Sequence, residues 1–463
     1  MALGKRKAEQ QELWVATTDL PRSPGHPFYQ KLNSLLAEHG FDAWLEALCR
    51  PYYHEKLGRP SIPPGVYFRM ILIGYFEGIA SQRGIAWRCS DSRSLAAFLG
   101  FAPTQDTPDH SSLSRVAQRL PLEVHEAVFQ RVLAIAVTKK LVHGKTAAVD
   151  STTLEANAAM KSIVRRDSGE NWKEYVTGLM REAGVIAADE TPTDEETRRF
   201  DKGRKYKKVS NAEWVSKTDE ESRITRMKDG TTHLAYKAEH VLDVESEFLL
   251  AVTLHGGDAA DTDTLCDSLI VAQMNLQAAG SDVEVREGVA DKGYHAAVTI
   301  ELCESLNFRT YIPEPKRKYR ARWKDKPREL RDAVYANRRR AKGDRGKKLG
   351  RLRSEKVERS FAHMCETGGA RRCWLAGLEK VTKRYLLQAA ARNLGLILRK
   401  LFGTGTPRGQ QKDAEGKTAF ASFAQIAMNA FQIATNALRA ARNAIRGLHN
   451  KTFAPRPQIA TAT

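Results

Sequence analysis

The chain has 463 residues, 42% of them apolar, and carries 74 Lys and Arg against 55 Asp and Glu, a formal charge of +19. That length predicts two or three domains with ample core, and the apolar share argues against general disorder. Met1–Gln10 lacks the apolar stretch of a secretory signal, no run is apolar enough to span a membrane, and six scattered cysteines without a C-x-x-C argue against a zinc or disulfide framework, so a cytoplasmic location is expected.

In chain order, residues 25–140 read as helical. Pro63-Pro64 opens a helix bearing Val66, Met70, Ile73 and Tyr75. Ser92 caps a short helix with Leu95 and Phe98, Asp109 caps one through Leu113 and Val116, and Pro121 opens another with Val124, Val128, Val132 and Ile135 on one face. Such a run fits either a helix-turn-helix reader of DNA or a plain helical bundle. From Lys145 the period changes. Thr146–Val149 predicts a strand ending in Asp150, and the polar stretch 157–232 reads as an insertion with one helix around Trp172–Met180. Leu234–Leu242 and Phe248–Leu254 predict a hairpin, Thr264–Ala278 a helix, and Val283–Ala290 a strand ending in Asp291. A helix through Val298 and Leu306, a strand Phe308–Ile312, a helix from Ser354 to about Met364 and another from about Val381 to Leu401 follow. The order predicts an α/β class with a mixed sheet. After a Gly/Thr/Lys-rich linker, residues 418–448 carry a heptad-like apolar seam that could dimerise or pack on its own chain.

The charge is concentrated. From Lys316 to Arg353 there are 18 basic and 4 acidic residues, so +14 of the +19 lies in this stretch. Such a run points to a polyanion, nucleic acid before an anionic membrane. It is expected to be partly unstructured until DNA arrives.

Three carboxylates attract attention. Asp150 and Asp291 sit where strands end, and Glu358 lies on a helix beside the apolar stripe Val357, Phe361, Met364, with Glu355 one turn earlier as its rival. Converging carboxylates repel unless cations hold them together. Two divalent ions on such a set can activate an attacking oxygen and stabilise a leaving one at a phosphodiester. The bland alternative for a post-strand Asp is a helix N-cap.

Ala148-Val149-Asp150-Ser151-Thr152, Val289-Ala290-Asp291-Lys292-Gly293-Tyr294 and Lys356-Val357-Glu358-Arg359-Ser360-Phe361 resemble the three DDE motifs of bacterial insertion-sequence transposases, in particular the long-chain branch of the insertion sequence five superfamily. The resemblance also covers Pro108–Ser114, Tyr236-Lys237-Ala238, and the stretches Arg384–Leu386 and Asn393–Leu396, about residues 25–402 in all. It implies an RNase H-like core, two Mg²⁺ or Mn²⁺ ions held by Asp150, Asp291 and Glu358, cleavage at terminal inverted repeats, and joining of the freed 3′-OH to target DNA. It implies double-stranded DNA as partner, a homo-oligomer on that DNA, and no membrane.

Domains are expected at 1–24 (arm), 25–140 (helical, DNA-end-binding), 141–402 (catalytic, with the insertion and the basic run) and 403–463 (linker and amphipathic helix). Phosphate contacts are expected from Lys292, Lys316, Arg317, Lys318, Arg320, Arg322, Arg338, Arg339, Arg340, Arg353 and Arg359. The sequence departs from related transposases in having Ser354 and Cys365 where an Arg and a Lys flank the Glu. Arg353 and Arg359 are the substitutes, with solvated helix charge as the alternative. His295 could touch phosphate or simply pack. A DNA-binding protein without catalysis, and a nuclease without strand transfer, stay open.

Overall fold

The structure is a computed structural model. It describes residues 26–409 apart from 55–56, 59, 206–209, 228–229 and 317–325, together with single positions before residue 26. The elements below belong to one compact unit ending at Gly405. The 418–448 seam lies outside the described residues, as does nearly all of the N-terminal arm.

Seven helices come first: α1 (Pro27–Glu38), α2 (Phe41–Cys49), α3 (Pro64–Glu77), α4 (Gln82–Asp91), α5 (Arg93–Phe98), α6 (His110–Arg119) and α7 (Leu122–Thr138). Their starts follow the caps in the sequence. Pro64 sits in the first turn of α3, Ser92 accepts from Leu95 N–H, and Asp109 accepts from Ser112 N–H at 2.8 Å. Helix α3 is apolar nearly all round and lies buried at the centre of this group. Its Arg69 is buried too, held by Asp42 through two hydrogen bonds of 3.0 and 2.7 Å and by the Phe98 carbonyl.

Strand β1 (Thr146–Glu155) follows. It is longer than the expected Thr146–Val149. Residues 151–155 pair on with the hairpin strand, so Asp150 is mid-strand rather than at a strand end. The insertion folds rather than trailing as polar chain. It contains β2 (Ile163–Arg165), α8 (Trp172–Glu182), α9 (Asp194–Gly203), β3 (Trp214–Ser216) and β4 (Arg223–Arg226). With few apolar residues it relies on capping boxes at Asn171/Glu174 and Thr193/Glu196, and on Arg165 stacked over Tyr175 and Trp214.

The hairpin is β5 (Thr232–Asp243) and β6 (Leu249–Gly256). After it come α10 (Asp261–Ala278), β7 (Glu287–Val289), a 3-10 turn (Lys292–Tyr294), α11 (Ala297–Ser305) and β8 (Arg309–Tyr311). The main sheet runs β6–β5–β1–β7–β8, and β4 shares the outer edge of β5 with β6. Strands β5 and β6 are antiparallel, as are β1 and β5, whereas β7 and β8 run parallel to β1.

The described part of the basic run is mostly helical, and residues 317–325 lie outside the described residues. Helix α12 (Arg328–Lys342) buries Ala333, Val334 and Asn337 against β8 and α11, and α13 begins at Asp344, ten residues before the expected Ser354, and ends at Glu366. Arg and Lys are good helix formers, and one apolar stripe suffices to dock them. Helix α14 (Leu378–Phe402) packs on α7, α3 and β6. Its Asn393 side chain pairs with both backbone groups of Leu249. One continuous apolar core therefore spans the N-terminal helices, one sheet face, α13 and α14, crossing the expected 140/141 boundary. A second core lies on the other sheet face beneath α10 and α11. Among the described residues no helix is long and apolar enough to cross a membrane.

Candidate functional site

Strand alternation sends neighbouring residues of β1 to opposite sheet faces. Asp150 lies opposite His240, on the face covered by α13, whereas Ser151 lies opposite Glu239, on the face covered by α10. Asp291 is two residues beyond β7, the parallel neighbour of β1. It accepts from Gly293 N–H at 2.7 Å and so also caps the 3-10 turn.

The structure brings Asp150 and Asp291 within electrostatic reach. Burial raises the Asp150 carboxyl above its ordinary pKa, and the negative charge of Asp291 pushes the same way. The Arg353 guanidinium and the Ser151 N–H oppose them. Arg353 donates to Asp150 Oδ2 at 2.6 Å, with side-chain exposures of only 12% and 24% for the pair. Arg353 is thus neither solvated helix-end charge nor an open phosphate contact, because α13 starts early and turns it inward.

His240 fixes α13 at this place. Its Nδ1 lies 2.8 Å from Ser360 Oγ, its Nε2 2.7 Å from Tyr385 Oη, and Phe361 stacks on its ring. Ser360 donates its own hydroxyl proton to the Val357 carbonyl. It therefore accepts from Nδ1–H, and Tyr385 donates to Nε2, an arrangement that requires a neutral imidazole. Burial holds the His240 pKa well below its ordinary value, in keeping with this.

Glu358 does not join the two aspartates. It is exposed and has no hydrogen bond or ion pair with a described residue. Among the described residues no three His, Cys, Asp or Glu side chains converge closely enough to hold a metal ion. At about 100° per residue, α13 turns Val357 and Ser360 to the sheet. Lys356 lies on one flank, bonded to the Val244 carbonyl in the turn between β5 and β6, while Ser354 and Glu358 lie on the opposite flank. The rival, Glu355, is bound to Arg359 on the outer surface.

Of the seven described residues expected to meet phosphate, four (Arg338, Arg340, Arg353 and Arg359) are paired within the chain. Arg338 grips Glu314 through bonds of 2.8 and 2.7 Å. Arg340 bonds the Thr310 carbonyl and pairs with Glu304, and Arg359 pairs with Glu247 and Glu355. Arg339, Lys292 and Lys316 are exposed, and Arg317, Lys318, Arg320 and Arg322 lie outside the described residues. Lys348 and Arg351 on α13 are exposed cations with no ion pair to a described residue.

A polar network under the other face of β1 was missed by sequence reasoning. Lys237 Nζ lies 2.8 Å from Asp261 Oδ1, and Ser151 Oγ donates to the same oxygen at 3.0 Å. Buried Glu239 accepts from Thr264 at 2.9 Å, from Tyr294 Oη at 2.7 Å, and from Ser268. A Cβ on Gly293 would stand 2.9 Å from both Asp261 Oδ2 and Asp291 Oδ1, so the two carboxylates flank that glycine. The available signal was Lys237 and Glu239, two charges at strand spacing inside an otherwise apolar strand.

Comparison with protein families finds two matches: residues 19–119, covering α1–α6, match the family described as Transposase domain (DUF772), and residues 301–398, running from within α11 through most of α14, match Transposase DDE domain. Neither curated proteins nor solved structures gave a match. Both matched segments are described as transposase domains, and together they support an insertion-sequence DDE transposase.

Proposed function

We propose that the protein cleaves DNA at the terminal inverted repeats of an insertion sequence and joins the 3′-OH ends to target DNA. The observation that carries this reading is Asp150 on β1 with Asp291 just beyond its parallel neighbour β7, near enough for their charges to act on each other. The strand order β6–β5–β1–β7–β8, with three antiparallel strands followed by two parallel to the first, supports an RNase H-like core.

The donor set fits divalent magnesium or manganese. It is made of carboxylate oxygens, and the Asp150 carboxylate is buried beside a second acid with Arg353 as its counter-charge. Asp150 and Asp291 would hold the ions, and Glu358, which does not join them in this structure, would be the third ligand only once α13 brings it in. Bound Mg²⁺ supplies activation of the attacking oxygen and compensation of charge on the leaving one. The chain's own residues do the rest. Arg353 holds Asp150 Oδ2 and offsets its charge. Exposed Lys292, Lys316, Arg339, Lys348 and Arg351 would meet the phosphate backbone. Action on chromosomal DNA places the protein in the cytoplasm at the nucleoid, as an oligomer when two ends are held together.

Mg²⁺-dependent nicking and end joining on DNA carrying the element's ends tests this. Asp150→Ala, Asp291→Ala and Glu358→Ala should each abolish both steps while DNA binding persists. Full activity in any of them refutes the assignment. The Arg353–Asp150 pair favours a second reading, a DNA-binding protein without catalysis, and binding without nicking in the wild type would select it. Nicking without joining would select a nuclease.

A further inference from the structure

A cavity of about 600 Å³ opens between α3, α4, α6 and α7 on one side and α14 with the loop before it on the other. That volume suits a ligand of some tens of atoms. Its lining has two chemical characters. Tyr67, Tyr75 and Trp374 give it aromatic walls, and Trp374 is 54% exposed at the rim, unusual for so large an apolar group. Lys380, Lys383 and Arg384 give it positive charge against the single carboxylate of Glu379, which is already paired with Lys383.

Arg384 is the telling residue. It is half-buried in this wall, and burial lowers its pKa from the ordinary value. No carboxylate among the described residues pairs with it. Its planar fork matches the oxygens of a phosphate.

The loop in the cavity wall is tied to the far end of β1. Cys373 N–H donates to the Glu155 carbonyl at 2.9 Å, and the Asn157 side chain donates to the Trp374 carbonyl at 3.2 Å. The loop is thus anchored at the end of β1, five residues or roughly 17 Å of strand beyond Asp150.

We propose that this cavity binds one nucleotide unit of a DNA strand, the base against the aromatic walls and its phosphate on Arg384 and Lys380. Base stacking on aromatic rings with a cation on the backbone is how proteins hold single-stranded DNA. The inference rests on the reading of the protein as a DNA-acting enzyme. It adds a site for an unpaired nucleotide away from the proposed cleavage centre, beyond the far end of β1.

The test uses the full-length protein, a blunt duplex, the same duplex with a three-nucleotide single-stranded overhang, and free dAMP. Wild type should bind the overhang duplex more tightly than the blunt one. Arg384→Met should lower overhang affinity about tenfold, the worth of one charge-assisted hydrogen bond, and leave blunt-duplex affinity unchanged. Equal affinity for the two duplexes in the wild type, or an unchanged overhang affinity in R384M, overturns the proposal. If R384M fails to fold, Trp374→Ala at the rim makes the same comparison with the same two outcomes. Should no duplex bind at all while dAMP binds and is lost in R384M, the nucleotide site stands and the reading as a DNA-acting enzyme falls. Failure to bind either DNA or dAMP overturns the site.

Discussion

Asp150 and Arg353 set the energetics at the scale of single residues. Burial and the nearby Asp291 favour the neutral form of Asp150, and Arg353 is the opposing cation. Removing it as Arg353→Met leaves a buried carboxylate facing another, and unfolding stability should drop by about 2 kcal/mol in metal-free buffer. Asp150→Asn leaves the largely buried Arg353 without its counter-charge, so it too should be destabilised, whereas the double variant Asp150→Asn, Arg353→Met removes both charges and should lose less than the two single losses added together. Urea unfolding of the three variants decides this. Additive losses would show that the pair is not coupled. The sequence showed both residues but not their contact, because 203 residues separate them and only the docking of α13 brings them together.

Helices α12 and α13 divide the basic run at the scale of elements. Their inward and edge-facing arginines hold the fold: Arg338 on Glu314, Arg340 on Glu304, and Arg345 on Glu287. Their outward cations, Arg339, Lys348 and Arg351, are free for phosphate. Arg338→Gln should therefore lower thermal stability while changing the salt dependence of DNA binding little. The double variant Lys348→Gln, Arg351→Gln should leave the melting temperature alone and flatten the log K against log salt plot by about 0.9 for each phosphate that is no longer neutralised. Identical slopes for wild type and the double variant would move the DNA elsewhere. Composition alone could not separate the two groups, since a run of Arg and Lys reads the same whether its acidic partners are near in space or absent.

Buried histidines give the whole molecule a common pH response. Burial lowers the pKa of His39, His125, His240, His255 and His363, with His125 pushed down to about 4. The unfolded chain, with ordinary values near ~6.5, then binds more protons than the folded one below that pH. Stability should therefore fall as pH drops from about 6.5 to 5.5, by about 1 kcal/mol for each of His125 and His240. Thermal melts across that window check it, and His125→Gln should reduce the slope. Flat melting temperatures would mean that these rings are not held neutral.

Local signals sufficed wherever a choice depended on neighbours in the chain. Pro64, Ser92, Asp109 and Pro121 mark helix starts, period-two runs mark β5 and β6, and two of the three acidic motifs supply the neighbouring Asp150 and Asp291. Ranges stretched where tertiary pairing prolonged them: β1 through Glu155 along β5, and α13 back to Asp344 once its stripe met the sheet. Only the tertiary structure could put Arg353 on Asp150, Asp261 beside Asp291, and Arg384 in a cavity wall without a carboxylate partner. Sequence sets the period and charge of each segment. Which charge meets which is decided when the elements pack and water is excluded between them.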